Sequence, residues 1–406
     1  MMMETAVQHP MHETLMNLPF KDDSALQSLH DTAIPTTRDE VWKYTRVARL
    51  LQHKWKHVAP TAHETIQEEI PAEWNAHVVD FIHGVCQRQD EELEQGVRLK
   101  HEPVASAAVP SHYFEHITQA AYTSSIHIEV ANGVQATRPI LIRHNIEHTG
   151  NIALPRIQLT AGEQSHVQVI EQFMSATHGA VFTIRTLSML AKAGSRVDWM
   201  KFQNDSEHSF LMNHEYIDVM SDAHVEMHTT TWSSGWVRNQ LHIRLQEAGG
   251  FAKLNGVFLP RNSQFIDNHT RVDHIAPHCQ SSELYKGILT DRGVGVFNGK
   301  VHVHPQAQKT NAFQKNANML MTAEAQMNTK PELEIYADDV KCSHGSTTGR
   351  MDTEALFYLK SRGIGEGQAQ KLLSRAFIGE VLDQLPNSAV RDWAYQSMVK
   401  QEFIFE

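Results

Sequence analysis

The sequence predicts a mainly β protein whose central region is a β-solenoid, with helical regions on both sides. Short segments that alternate apolar and polar residues run from residue 124 to residue 342, the pattern of strands with one buried face. Four of them share a small residue followed two positions later by an apolar one, at Val167, Val197, Val225 and Leu254. Intervals of 30, 28 and 29 residues between these anchors are the near-constant period of stacked coils.

An antiparallel sandwich with evenly spaced hairpins is the alternative to a solenoid. Hairpins of that kind favour two-residue turns such as Asn-Gly or Asp-Gly. Such turns are scarce here, and the Asn-Gly pairs begin at Asn132, Asn255 and Asn298. The period therefore favours the solenoid and leaves the sandwich open.

Three regions are predicted: a largely helical region at 1–120, the β core at 121–346 and a helical region at 347–406. In the first region, Thr37 and Glu40 have the spacing of a capping box at a helix N-terminus. Apolar residues then follow at helical spacing, namely Val41, Tyr44, Ala48 and Leu51.

The C-terminal region contains two predicted helices, the first at 352–362 and the second after Gly367. The second helix has an apolar side that includes Leu372, Leu373 and Phe377. Such a stripe normally packs on the parent domain, and the last coil of a solenoid needs a cover. The residues alone do not separate a cap from a docking face for a partner.

The composition is that of an ordinary soluble globular protein, with 41% apolar and 20% charged residues. A net charge of −11, without Lys/Arg clusters, argues against a nucleic-acid-binding surface. Three widely spaced cysteines, Cys86, Cys279 and Cys342, indicate a reducing compartment rather than a disulfide framework. With no export signal and no long apolar segment, we expect a cytoplasmic protein that does not cross a membrane.

Motifs that mark catalysis are scarce. The sequence has neither a G-x-x-x-x-G-K-[ST] phosphate loop nor a G-x-S-x-G nucleophile elbow. The carboxylates of Asp338 and Asp339 are adjacent in a predicted strand and so face opposite sides. We expect a non-catalytic protein, and a β-helix carbohydrate-active enzyme is the alternative from another class.

One predicted strand carries a pair of candidate metal ligands. Cys342 and His344 are two positions apart, so their side chains project from the same side of the strand. A thiolate and an imidazole together suit a soft or borderline metal ion. Two ligands fall short of the roughly four that a closed site needs, so a buried cysteine beside an exposed histidine is the alternative.

The stretch around this pair resembles the SufB/SufD family, the scaffold proteins of the SUF iron–sulfur cluster assembly system. The resemblance is carried by residues 330–345, Lys-Pro-Glu-Leu-Glu-Ile-Tyr-Ala-Asp-Asp-Val-Lys-Cys-Ser-His-Gly, and by Thr-Gly-Arg-Met-Asp at 348–352. It extends through further segments at 281–287, 296–299, 309–314, 316–320 and 357–364. The resemblance implies a right-handed parallel β-helix and a complex with SufB and two copies of the ATPase SufC.

Cys-Ser-His-Gly at 342–345 and Trp-Lys-Tyr at 42–44 resemble the SufD-type members, whereas SufB-type members have Cys-Glu-His-Glu. The resemblance implies that His344, with Cys342 beside it, helps to hold iron or a nascent iron–sulfur cluster at the interface with SufB. It also implies that the C-terminal helices dock SufC, through the residues Leu372, Leu373 and Phe377. A SufB-type scaffold that holds the cluster itself is the alternative within the family, and a homodimer without partners stays open.

Overall fold

The computed structural model describes residues 14–15, 17–22, 25, 29, 32–61, 64–103, 112–175 and 177–400. Two long sheets dominate this part of the chain, one of 11 strands and one of 10. From residue 124 onwards, the long strands alternate between the two sheets, and neighbours within each sheet run parallel. This arrangement is a β-solenoid of about 8 turns, as predicted, and the antiparallel sandwich is excluded.

The larger sheet is described first, in spatial order. It contains β22 (Gln326–Ile335), β20 (Val294–Val303), β18 (Phe265–His274), β16 (Trp236–Leu245), β14 (Ser209–Val219), β12 (Val181–Ala191), β10 (Pro155–Ala161), β7 (Ser124–Val130), β5 (Val97–His101) and β4 (Glu91–Glu94), with β9 (Ile152–Ala153) paired to β12.

The smaller sheet forms the opposite wall of the solenoid. It contains β23 (Lys341–Gly349), β21 (Asn311–Leu320), β19 (Gln280–Leu289), β17 (Phe251–Phe258), β15 (His224–Ser233), β13 (Arg196–Asn204), β11 (His166–Met174), β8 (Ile140–Asn145), β2 (His77–Ile82) and β3 (Val85–Cys86). Two short strands, β1 (Phe20–Lys21) and β6 (Ala121–Tyr122), pair separately.

The helices lie outside the solenoid sheets. They are α1 (Ala48–Leu51), α2 (Tyr113–Ala120), α3 (Thr353–Ser361), α4 (Glu366–Leu382) and α5 (Ser388–Lys400), with 3₁₀ helices at Glu40–Trp42 and Ala72–Trp74. None of these described helices is long and apolar enough to cross a membrane.

The predicted repeat is correct for three of its four anchors. Val167, Val197 and Val225 pair with one another on successive strands of the smaller sheet, and all three are fully buried. The residue that pairs with Val225 on β17 is Ala252, not Leu254. Leu254 is also buried, because residues two apart on a strand face the same side. A shift of two residues therefore leaves the apolar pattern unchanged.

The N-terminal region contains more strand than predicted. Strands β2 to β5 lie within residues 77–101, and β2 pairs in parallel with β8. The solenoid sheets therefore begin well before residue 121, and the expectation of a largely helical region at 1–120 is wrong for this part. Residues 104–111 lie outside the described chain.

The amphipathic helix predicted after Thr37 does not form, although residues 32–61 are all described. Its place is taken by the 3₁₀ helix at 40–42 and by the four-residue α1. Val41, expected on the apolar face, is 49% exposed, whereas Trp42 is buried. The guanidinium carbon of Arg238 lies 3.9 Å from the centre of the Trp42 ring. Tertiary contacts, including this cation–π contact, thus bury a residue that the helical spacing left off the apolar face.

A buried ionic cluster lies inside the solenoid, where the apolar pattern predicted only core. Arg185 donates to Glu171, at 2.8 Å, and to Glu215, at 2.8 Å, and Lys201 donates to the other oxygen of Glu215 at 2.8 Å. All four side chains are at most 1% exposed. Each buried charge is therefore compensated by an opposite one.

The C-terminal helices pack against the side of the smaller sheet. Their apolar residues Ile378, Val381, Leu382, Val390, Ala394 and Met398 form one cluster with Leu141, Ile170, Met200, Phe202, Trp232 and Val257 of the sheet. The last coils have a separate apolar cluster, formed by Val301, Val303, Ala307, Ala312 and Ala337. This cluster includes no residue of α3, α4 or α5. The expected helical cap over the solenoid end is therefore not found among the described residues.

Candidate metal site at the last coil

The solenoid ends in two strands that are paired on one side only. β23 pairs with β21 and β22 pairs with β20, and no other strand in the described part of the chain pairs with their outer edges. The backbone N–H and C=O groups along these edges are free to bind another chain. The last coil is therefore an open end of the fold.

Cys342 and His344 lie on this open coil and share one face of β23. Their partners on β21 are Ala312 and Gln314, which are 1% and 3% exposed and so face the interior. Cys342 and His344 continue that interior face, but no further coil in the described part of the chain covers them. His344 is consequently exposed and Cys342 half-buried.

The environment of Cys342 keeps its thiol protonated. Partial burial at the edge of the apolar cluster raises the pKa of Cys342, although a backbone hydrogen bond at Ala312 acts in the opposite direction. A protonated thiol is a weak ligand until a metal ion displaces the proton. Metal binding at Cys342 is thus expected to release a proton.

The pair does not form a complete metal site within the described part of the chain. No third histidine, cysteine or carboxylate there joins Cys342 or His344 in a group compact enough to hold an ion. The structure places the two predicted ligands together on an open edge, and their role as ligands stays a prediction.

Behind His344, the interior of the solenoid is polar. Gln314, which pairs with His344, donates a hydrogen bond of 2.7 Å to the carboxyl group of Glu283. Burial raises the pKa of Glu283 to about 7. Sequence reasoning assigned no role to these residues, although both lie in segments that carry the family resemblance.

The residues predicted to dock a partner are exposed to different degrees. Leu372 is 44% exposed, whereas Leu373 and Phe377 are half-buried. Phe377 packs on the solenoid, with the amine of Lys286 4.4 Å from its ring centre. Phe357 on α3 is 74% exposed and was not predicted. Helices α3 and α4 are consecutive and form a helical hairpin. Its exposed apolar surface therefore lies on α3 and the first half of α4.

The other two cysteines, Cys86 and Cys279, are buried. Cys279 is fully buried, with its sulfur 3.3 Å from the carbonyl oxygen of Glu247. Burial raises the pKa of Cys86 to about 11. Both are therefore poor ligands for a metal ion.

Comparison with known proteins identifies the class to which this solenoid belongs. The SufBD core domain of SUF-system FeS cluster assembly matches residues 144–377, which include most of the coils and the pair on β23. The chain therefore belongs to the SufB/SufD family.

Within that family, the chain is a homologue of SufD. It is 30% identical over 377 residues to the iron–sulfur cluster assembly protein SufD of Escherichia coli (strain K12), covering 90% of this chain and 89% of that protein. It is 29% identical over 378 residues to an iron–sulfur cluster assembly SufBD family protein of Mycobacterium leprae, covering 88% of each. The resemblance read from the sequence is confirmed.

Proposed function

We propose that this chain is a non-catalytic scaffold subunit that joins SufB and the ATPase SufC in ATP-driven assembly of iron–sulfur clusters, chiefly in iron supply. The observation that carries the proposal is the open last coil, which presents Cys342 and His344 beside unpaired strand edges. The free thiols of Cys86, Cys279 and Cys342 fit work in the reducing cytoplasm.

The last coil is the surface for SufB. An edge strand binds a second chain by adding a strand to the sheet, and large apolar side chains lie beside these edges. Phe313 is 50% exposed, Ile335 is 40% exposed and Tyr336 is 61% exposed. Exposed apolar groups of this size favour a protein contact.

The same contact would complete the metal site. Iron–sulfur clusters are held mainly by thiolates, with histidine in some sites. Cys342 and His344 supply up to two ligands, and SufB would supply the rest at the shared interface. Iron or a nascent cluster would thus be bound between the subunits rather than by this chain alone.

The α3–α4 hairpin is the surface for SufC. One end of the hairpin is fixed to the solenoid, because Lys286 donates to the Phe377 carbonyl oxygen at 2.8 Å and pairs with Glu380. The other end exposes Phe357 and Leu372. An apolar helical surface held on a rigid support suits a groove on a partner protein.

Co-expression of the tagged chain with SufB and SufC of its own organism tests the proposal. Pull-down and subunit counting by native mass spectrometry should recover one SufB, one copy of this chain and two SufC. Recovery of the tagged chain alone, with SufB and SufC assembling without it, would contradict the proposal. A cluster absorbance band on the isolated chain after anaerobic reconstitution would instead favour a scaffold that holds the cluster itself.

A further inference from the structure

One of three groups of side chains in the described chain that could hold a metal ion lies at the other end of the solenoid. Glu64, His83 and His148 offer ligand atoms that all lie within 4.8 Å of one another. We propose that these three residues bind one divalent transition-metal ion such as Fe(II) or Zn(II). The ion would fasten the N-terminal segment to the first coil.

Three separate stretches of chain bring these ligands together. His83 is in the tight turn between β2 and β3, where its φ is 51° and its N–H donates to the Asn145 carbonyl oxygen at 2.9 Å. His148 is in the loop between β8 and β9. Glu64 belongs to a segment held beside β9, where the Val58 N–H donates to the Asn151 side chain at 3.0 Å.

The turn that carries His83 has little freedom to move. Gly84, the next residue, has a φ of 79°, and a Cβ there would lie 2.4 Å from the hydroxyl oxygen of Thr123. That hydroxyl donates to the Gly84 carbonyl oxygen at 2.6 Å. The imidazole of His83 is therefore positioned in advance, as a metal ligand should be.

Two of the distances between ligand atoms are close to those of a coordination sphere. One carboxylate oxygen of Glu64 is 3.4 Å from Nε2 of His83, and the other is 2.9 Å from Nε2 of His148. With metal–ligand bonds of about 2.1 Å, neighbouring ligand atoms are about 3.4 Å apart in a tetrahedron and about 3.0 Å apart in an octahedron. A small adjustment would admit the ion.

His83 has no other satisfactory partner in the described chain. Its side chain is 0% exposed, and neither ring nitrogen makes a hydrogen bond there. Burial lowers the pKa of His83, which favours the neutral imidazole that can bind a metal. A buried nitrogen without a hydrogen bond costs free energy that a metal bond would offset.

The surrounding charges favour a cation. The groups that act most strongly on His83 are the carboxylates of Glu64 and Glu147 and the imidazole of His148. His57 also lies nearby, with its Nδ1 3.2 Å from the Ile152 carbonyl oxygen, but it is not one of the three grouped ligands.

The donor set limits the choice of ion. Two imidazoles and one carboxylate suit Fe(II), Co(II) or Zn(II) rather than the hard ions Mg²⁺ and Ca²⁺. In the smaller sheet, β2 lies eight strand spacings from β23, about 38 Å at 4.8 Å each. This site is therefore independent of Cys342 and His344 and does not depend on the proposed function.

Titration of the purified, chelator-treated chain with Co(II) tests the site, using a tag without histidine and an anaerobic repeat with Fe(II). The wild-type chain should bind Co(II) at this site and show Co(II) absorption bands in the visible range. His148→Ala and Glu64→Gln should each weaken binding at least about tenfold. Their side chains are 45% and 15% exposed, so both variants should fold.

His101→Ala is the matched control, because His101 also pairs with a carboxylate at 2.9 Å but has no third ligand in the described chain. It should bind Co(II) like the wild type. The melting temperature of the wild type should rise with Co(II), and that of His148→Ala should not. Equal affinity and equal thermal shift in the wild type, His148→Ala and Glu64→Gln would overturn the proposal.

Discussion

Replacing Glu283 by Gln should remove a pH dependence of folding that its buried carboxyl group creates. Glu283 is 3% exposed, and burial raises its pKa from 4.5 to about 7. Between these two values the folded chain holds a proton that the unfolded chain releases. The free energy of unfolding of the wild type therefore falls as the pH rises through this window and is level above it.

The size of this change in the free energy of unfolding follows from the shift in the pKa of Glu283. Each pH unit within the window lowers the free energy of unfolding by about 1.4 kcal/mol. About 3 kcal/mol of stability is therefore lost between pH 5 and pH 8. Glu283→Gln keeps an oxygen that accepts the hydrogen bond from Gln314 and has no proton to lose. The stability of the variant relative to the wild type should thus increase by about 3 kcal/mol over this range.

Urea denaturation of both proteins at pH 5 and pH 8, followed by tryptophan fluorescence, measures this difference. Comparing the two proteins removes the contributions of other groups, including Asp205, whose pKa burial raises to about 6. A difference that stays the same at the two pH values would refute the reasoning. It would mean that Glu283 is ionised inside the solenoid and solvated there by water.

Three further predictions concern the last coil, the helical hairpin and the ionic cluster. His344→Ala should fold normally, because the side chain is exposed, but it should lower cluster formation in the assembled complex. An unchanged cluster yield would exclude a ligand role for His344. Phe357→Asp should change the chain's own stability by no more than about 0.5 kcal/mol and weaken co-purification with SufC, and full retention of SufC would place the docking surface elsewhere. Arg185→Met leaves Glu171 and Glu215 with fewer partners and should lower the free energy of unfolding, measured by urea denaturation, by about 3–5 kcal/mol. A loss below about 1 kcal/mol would contradict the compensation of charges described above.

The sequence by itself determined the repeat, the strand character of the core and the pairing of Cys342 with His344 on one face. These features follow from local rules, because residues two apart on a strand face the same side whatever surrounds them. The C-terminal helices were equally readable, and Asp352 caps α3 by accepting hydrogen bonds from the backbone N–H groups of Glu354 and Ala355.

Only the tertiary structure decided where each face is covered. The pairing of Ala252 rather than Leu254 with Val225 is invisible to a period-two pattern, since both residues point inward. The sideways packing of α4 and α5, which leaves the last coil open, depends on contacts with strands far away in the chain.

The tertiary structure also decided which polar groups meet in the interior and which residues form the proposed metal site at the first coil. Glu64, His83 and His148 come from three segments that meet only when the first coils stack. Periodicity in the sequence indicates which side of a strand a residue occupies. Proximity across coils depends instead on the register between strands, and the packing of the whole solenoid fixes that register.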